Sequence, residues 1–174
     1  MTIATPEAPA IVTQPGDVTV TNGYPANFAV EATGSPPLTY QWQWDGTNLP
    51  NGGGISGATT DDLALTAAAE TNAGSYTVIV GNNYGSVTSM VASLTVVIPP
   101  IVFQTAMVIS NTVSFSWSAA PGLNYQTQYT TDLSSSNWID LGSVVGATNG
   151  TLSTSDQLGP DPQRFYRVVL VPSN

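Results

Sequence analysis

The sequence predicts an all-β protein made of two tandem antiparallel β-sandwich domains. Three observations carry this. Short segments alternate apolar and polar residues with period two, as half-buried strands do. The clearest runs from Leu38 to Trp44, with Leu38, Tyr40, Trp42 and Trp44 on one face. Turn residues recur between such segments, as in Gly34-Ser35-Pro36-Pro37 before that strand and Asp45-Gly46 after it. No segment shows helical apolar periodicity over three turns, and none reads as the continuous apolar run of a buried parallel strand.

The first half supplies seven or eight short strands in order. Residues 1–8 are small and proline-interrupted and read as an arm or linker; Ile11 and Val12 start a strand. Val18 and Val20 share a face between the turns Pro15-Gly16 and Asn22-Gly23. Phe28 and Val30 point inward next, and the tryptophan strand follows. Asn48 to Thr60 is rich in glycine and reads as a long loop or weak edge strands. Leu63-Ala64-Leu65 is a short strand, and Ala67 to Glu70 suits one helical turn. Tyr76, Val78 and Val80 alternate, Gly81 to Gly85 turns, and Val87 to Val97 reads as one closing strand.

Ile98-Pro99-Pro100-Ile101 marks a boundary, because two prolines favour an extended, semi-rigid connection that sets domains end to end. The expected division is 1–8, 9–98 and 99–174. In the second half Val113, Phe115 and Trp117 alternate, Pro121-Gly122 turns, and Tyr125, Thr127 and Tyr129 alternate again. Trp138, Asp140 and Leu141 form a short strand and Thr151 to Ser155 a weak one. Gly159-Pro160-Asp161-Pro162 breaks the chain before a last strand from Arg164 to Val171, where Tyr166 and Val168 face opposite to Phe165.

On these residues, the stretch from Pro9 to Val97 resembles a bacterial immunoglobulin-like domain of the intermediate type. The matching motifs are Gly23 ahead of the second strand, Gly34-Ser35-Pro36-Pro37, Trp42 four residues before Gly46, Leu63-Ala64-Leu65, Asn72-Ala73-Gly74-Ser75-Tyr76 and Asn82-Asn83-Tyr84-Gly85. The resemblance implies that Trp42 is a core tryptophan and Tyr76 a corner tyrosine whose hydroxyl bonds back to the backbone. It implies that Val30 and Val78 stand where the family carries its two disulfide cysteines, and Asn72 where it carries an aspartate. The second half resembles a fibronectin type III-like module, through Ser114-Phe115-Ser116-Trp117, Tyr125 to Leu133, Asn137-Trp138 and Arg164 to Val168. Trp117 is its expected core residue. The resemblance is to terminal modules of large secreted bacterial proteins. At 99–174 the module is short. The last strand is either followed by a missing one or serves as an edge, which proteins normally cover or use.

Composition removes several function classes. Charged residues are 7% of the chain, against a usual value of about 25%. Arg164 and Arg167 are the two cations against 11 carboxylates, for a net charge of −9. Such a chain cannot neutralise a run of phosphates, so nucleic acid is excluded as a partner, and an anionic membrane surface is disfavoured. No apolar run reaches the roughly 18 residues of a membrane span. Met1 to Ala10 has neither the basic start nor the apolar core of a secretory signal, so no signal peptide is read in this chain. The uncharged polar surface of Ser, Thr, Asn and Gly goes with extracellular or cell-surface bacterial proteins. There is no Lys, His or Cys, so disulfides and thiol, imidazole and amine catalysis are absent, and a serine nucleophile has no conventional partner.

No catalytic, cofactor-binding or metal residue is therefore expected. Asp61-Asp62 is the one adjacent acid pair, but strand neighbours point to opposite faces. Calcium needs clustered oxygens, and Asp156, Asp161, Asp61 and Asp62 lack any EF-hand spacing, so all read as solvated acids. Asn51-Gly52-Gly53-Gly54 is a flexible loop rather than a phosphate loop. Asn149-Gly150-Thr151 matches a glycosylation sequon, silent in a bacterial host.

The candidate ligand-binding residues are Trp44, Tyr84 and Trp138. Aromatics beside Asp, Asn and Gln suit the apolar face and hydroxyl rim of a pyranose. Tyr24 also lies by a turn. Trp44 reads first as a continuation of the Trp42 face packed at the sandwich rim. Ile3, Ile11 and Val12 form a candidate strand-exchange arm. The leading reading is a non-catalytic extracellular tandem acting as an adhesion, spacer or accessory module, with a polysaccharide or cell-surface protein as partner. The alternatives are a filament subunit that self-associates by β-strand addition, and a carbohydrate-binding module.

Overall fold

In a computed structural model, which describes residues 5–172, every regular element but one is a β-strand. The chain divides into two compact units, Met1–Val97 and Ile98–Asn174.

The first unit carries β1 (Ala10–Thr13), β2 (Val18–Thr21), β3 (Ala26–Ala29), β4 (Glu31–Thr33), β5 (Thr39–Trp44), β6 (Thr47–Asn48), β7 (Ile55–Ser56), β8 (Asp62–Leu65), β9 (Gly74–Asn82), β10 (Gly85–Thr88) and β11 (Ala92–Val97). One sheet has the order β2-β11-β9-β5-β6, with β10 also on β9. The facing layer is β3-β8-β7, extended by the β1-β4 pair. All these pairings are antiparallel except β2 with β11, which run parallel from Val18 opposite Leu94. The period-two residues of both layers meet inside: Phe28, Val30, Trp42, Leu63, Leu65, Tyr76, Val78, Val80 and Leu94 are all buried. Phe28 stacks on Tyr76 with ring centroids 4.7 Å apart. The loop ahead of β8 turns at Gly57 with φ +75°, and a Cβ there would strike the Asp62 carbonyl. Only glycine fits that turn.

Two local expectations need correction. The single closing strand expected over Val87 to Val97 is broken between β10 and β11. At the break, Ser89 Oγ accepts the Val78 N–H at 3.0 Å and donates to the Met90 carbonyl at 2.8 Å. A side chain thus takes over one rung of the β9 ladder and lets the strand turn toward β2. The helical turn lies at Glu70–Asn72 as a 3-10 turn, not at Ala67 to Glu70. It is held there by the Ala69 N–H donating to Asn72 Oδ1 at 2.9 Å.

The second unit carries β12 (Phe103–Ile109), β13 (Thr112–Ser118), β14 (Asn124–Thr130), β15 (Ile139–Gly146), β16 (Thr151–Gln157) and β17 (Phe165–Val171). They form two three-stranded antiparallel sheets, β12-β13-β16 and β15-β14-β17. The core between them is smaller: Phe115, Trp117, Ala119, Tyr125 and Ala147 are buried. β12 is not foreseen by alternation. It forms because Ser110 and Asn111, with φ of +47° and +66°, make the two-residue reversal that returns the chain as β13. Asn111, a residue that tolerates left-handed backbone, is the signal in the sequence that marks it.

Candidate functional site

The five residues expected in the core are all buried. Trp42 on β5 and Val78 on β9 are register partners, and Trp42 Nε1 donates to the Thr60 carbonyl at 2.9 Å. Its indole thus ties the β5 layer to the loop before β8. Val30 lies between β3 and β4 and belongs to the same cluster as Val78, an apolar fill where both partners are valine. Tyr76 Oη donates to the Asn72 carbonyl at 2.8 Å, closing the corner ahead of β9. Burial first, and then the Asp45 charge, push the Tyr76 phenol up to about 12. Trp117 on β13 is buried with an indole N–H that has no hydrogen-bond partner among the described residues.

The three aromatic ligand candidates lie in different places and form no common platform. Trp44 ends β5, packs against the core and donates Nε1 to the Ala73 carbonyl at 3.3 Å. It is the rim residue of the sandwich rather than a free ring. Trp138 precedes β15, and the Arg167 guanidinium lies over its ring at 4.2 Å from the centroid. One face of that indole is thereby occupied. Tyr84 is the open one, 55% exposed in the turn between β9 and β10, where its N–H donates to Asn82 Oδ1. Tyr24 is exposed as well, at the turn before β3.

Among its described residues the expected arm is tied down at Glu7. Glu7 exchanges hydrogen bonds with Ser35, and its carbonyl accepts Asn82 Nδ2 at 2.7 Å. Ile11 pairs with Ala32 inside the same unit, and Val12 lies beside it on β1. Both serve an intramolecular sheet, which corrects their expected place on a free arm. Ile3 lies outside the described residues.

Of the acids, one pair lies as expected and the others do not. Asp61 and Asp62 are exposed neighbours at the start of β8. Asp156, expected in solvent, is buried on β16. Its Oδ2 accepts Arg164 Nη1 at 2.6 Å and the Tyr166 hydroxyl at 2.8 Å. Asp161 takes the other side of the same guanidinium, with Nη2 at 2.6 Å. The two carboxylates raise the Arg164 pKa, and burial first, then the Asp156 bond, push the Tyr166 phenol up to about 12. Oxygens that looked available to a cation are bound to a fixed guanidinium. Among the described residues no group of three or more metal-ligating side chains occurs. Sequence reasoning missed this cluster because Asp156 and Arg164 meet only when β16 and the segment before β17 are brought together.

One polar row crosses the outer face of the second unit. Asp140 on β15, Gln128 on β14 and Arg167 on β17 are register partners. Gln128 Nε2 donates to Asp140 Oδ1 at 2.7 Å, and Arg167 Nε donates to Gln128 Oε1 at 2.8 Å. The row ends on the cation.

Comparison with known proteins places these features. The model of the immunoglobulin I-set domain matches residues 9–96. Endoglucanase C of Cellulomonas fimi is 39% identical over 94 residues, which are 52% of this chain and 8% of that protein. The chain thus spans under a tenth of the curated relative's length. Among solved structures, the complex of titin M10 with the obscurin-like 1 Ig domain aligns with a TM-score of 0.50 and 32% identity, over 54% of this chain and 98% of that chain. The titin z1z2 domains in complex with telethonin align over 98% of this chain and 92% of that chain, with a TM-score of 0.51. At 20% identity that second likeness shows the fold alone.

Proposed function

The chain belongs to the immunoglobulin I-set family through residues 9–96, and from that premise we propose that it is a non-catalytic accessory or spacer module of an extracellular bacterial protein. The observation that carries this reading is the extent of the endoglucanase match. The similarity to an enzyme of that name is confined to a stretch worth 8% of it, the size of one sandwich rather than of a catalytic unit. The side chains support the same reading. Hydroxyls are plentiful, but the chain offers no imidazole, thiol or amine to activate them. In the second unit Asp156 and Asp161 are engaged by Arg164.

The second unit, residues 99–174 in this reading, acts as a fibronectin type III-like partner. Its strand order of β12-β13-β16 facing β15-β14-β17 supports that assignment. The docking of β1 on β4 counts against a filament built by arm exchange. A carbohydrate-binding role rests on one observation, the exposed Tyr84 ring.

The test is direct. The purified chain is incubated with cellulose, xylan and chitin, and both retention and release of reducing sugar are measured. The parent bacterium is fractionated in parallel. The expected result is a chain found outside the cell that neither cleaves nor is retained on these polymers. Retention abolished by Tyr84→Ala would move the assignment to carbohydrate binding. Sustained release of sugar, or a cytoplasmic location, would overturn the reading.

A further inference from the structure

Asn-Gly occurs three times in the chain, at Asn22-Gly23, Asn51-Gly52 and Asn149-Gly150. In this dipeptide the asparagine side chain is open to attack by its own backbone, because glycine has no Cβ to block the approach. Three conditions decide whether the attack proceeds. The glycine nitrogen must be free to act as nucleophile, the side-chain carbonyl must be polarised, and the amide that leaves must not be held.

All three asparagines meet the second condition. Asn22 Oδ1 accepts the Glu70 N–H at 3.2 Å, Asn51 Oδ1 the Ala58 N–H at 2.9 Å, and Asn149 Oδ1 the Thr151 N–H at 3.0 Å. The nucleophile separates them. Gly23 N–H donates to the Ala68 carbonyl at 2.8 Å, and Gly52 N–H to the Ile55 carbonyl at 2.8 Å. The second bond is doubled, since the Ile55 N–H returns to the Gly52 carbonyl at 3.0 Å. Asn22 is also buried. Each site in the first unit has to open locally before its glycine nitrogen can turn on the side chain. Gly150 N–H has no hydrogen-bond partner among the described residues, and Asn149 and Gly150 are both exposed.

Asn82 repeats the turn of Asn149 but not its freedom. Its Oδ1 also accepts an N–H from two residues on, that of Tyr84, but its Nδ2 is held by the Glu7 and Ser35 carbonyls, and Asn83 follows in place of glycine. Asn149 Nδ2 has no such hold among the described residues.

We propose that Asn149 is a self-modification site, which the folded chain converts to aspartate and isoaspartate through a cyclic imide closed by the Gly150 nitrogen. The bond from Thr151 N–H closes a turn whose ring contains that nitrogen, and so folds the side chain back over the attacking atom. Solvent hydroxide takes the Gly150 amide proton. The nitrogen then attacks Asn149 Cγ, and the charge developing on Oδ1 falls against the Thr151 N–H. The Cγ–Nδ2 bond breaks, and ammonia leaves with a proton from water. A second water opens the five-membered imide. Cleavage of its bond at Cγ gives aspartate, and cleavage at the Asn149 backbone carbonyl carbon gives isoaspartate. The reaction needs only water and hydroxide.

The product adds one negative charge to the −9 of the chain. In isoaspartate the backbone runs through Cβ and Cγ and is one carbon longer. The insertion lies directly ahead of the Gly150 carbonyl, which accepts the Ala119 N–H at 3.0 Å, and of Thr151, which pairs with Ser118. The change therefore falls where β16 joins β13. The proposal goes beyond the spacer reading and does not depend on it, because the chemistry is local to residues 149–151.

The test incubates the whole chain at mildly alkaline pH, folded and in guanidinium chloride. Each asparagine is followed after digestion by mass spectrometry, in which deamidation adds about one mass unit. The folded chain is expected to deamidate at Asn149 at least tenfold faster than at Asn22, Asn51 or Asn82, with aspartate and isoaspartate both formed. In the unfolded chain the three Asn-Gly sites should converge to within about threefold, since local sequence alone then sets the rate. Gly150→Ala should slow the folded chain's conversion at Asn149 tenfold or more. Asn22 or Asn51 keeping pace with Asn149 in the folded chain would overturn the proposal, and so would a tenfold gap that persists on unfolding. Aspartate without isoaspartate, an Asn149 that reacts only when the chain is unfolded, or a Gly150→Ala chain with an intact melt and an unchanged rate would do the same.

Discussion

Arg167 lies over the Trp138 ring at 4.2 Å and at the same time donates Nε to Gln128. The guanidinium is thus held flat between an aromatic face and a neighbouring strand. It closes one face of the indole to a sugar. An exposed cation–π contact contributes about 0.5–1 kcal/mol. Trp138→Ala is therefore expected to destabilise the second unit by about that much. It should leave any retention on polysaccharide unchanged, and a pull-down in which Trp138→Ala abolishes retention would refute this.

Tyr76→Phe removes the bond from Oη to the Asn72 carbonyl but keeps the ring on Phe28. The expected cost is about 1–2 kcal/mol, read as a lower denaturant midpoint with unchanged slope. Tyr76→Ala also empties the core beside Trp42 and is expected to cost about 3–5 kcal/mol. Similar losses for the two variants would mean that the hydroxyl, not the packed ring, holds the corner.

Alkaline pH should unfold the protein in a defined window. Tyr76 and Tyr166 have folded-state values raised to about 12, whereas an unfolded tyrosine titrates near 10. The folded state holds these protons more tightly. The stability they contribute is full below about pH 10 and is lost as pH rises toward 12. Phenolate absorbance followed with circular dichroism should show Tyr76 and Tyr166 ionising only as structure is lost. Ionisation of these two near pH 10 with the fold intact would contradict this.

Asp156→Asn keeps the shape of the cluster and removes the charge that Arg164 and Tyr166 share. Hydrogen bonds to charged groups contribute about 1.5–3 kcal/mol, and Asp161 still holds the guanidinium. The second unit is expected to lose about 2 kcal/mol in a thermal or urea melt, and the first unit nothing. An unchanged melt would show the buried ion pair to be energetically neutral.

The core of the first unit was readable from period-two alternation alone. Phe28 and Val30, Leu63 and Leu65, and Tyr76, Val78 and Val80 all lie inside as their spacing requires. The ligand candidates were less readable. Trp44 and Trp138 sit in polar surroundings in the sequence, but whether an aromatic ring is free depends on what lies across from it. That turned out to be the Ala73 carbonyl and Arg167, 29 residues from each aromatic along the chain. The same limit hid the Asp156–Arg164 pair and the Ser89 substitution in the β9 ladder.

Local alternation and turn chemistry dictate which segments become strands and which of their faces turns inward, because both depend on neighbours within a few residues. They cannot say how many strands face one another. β17 read as an ordinary alternating strand, whereas β12 left no alternation signal, and nothing local said which strand of the opposite sheet either would face. The contact of Phe115 on β13 with Tyr166 on β17 goes with a buried Phe115, while β12, one strand further out, is exposed along its length. Burial is a property of the opposing layer, so which strands are covered was decided by the tertiary structure.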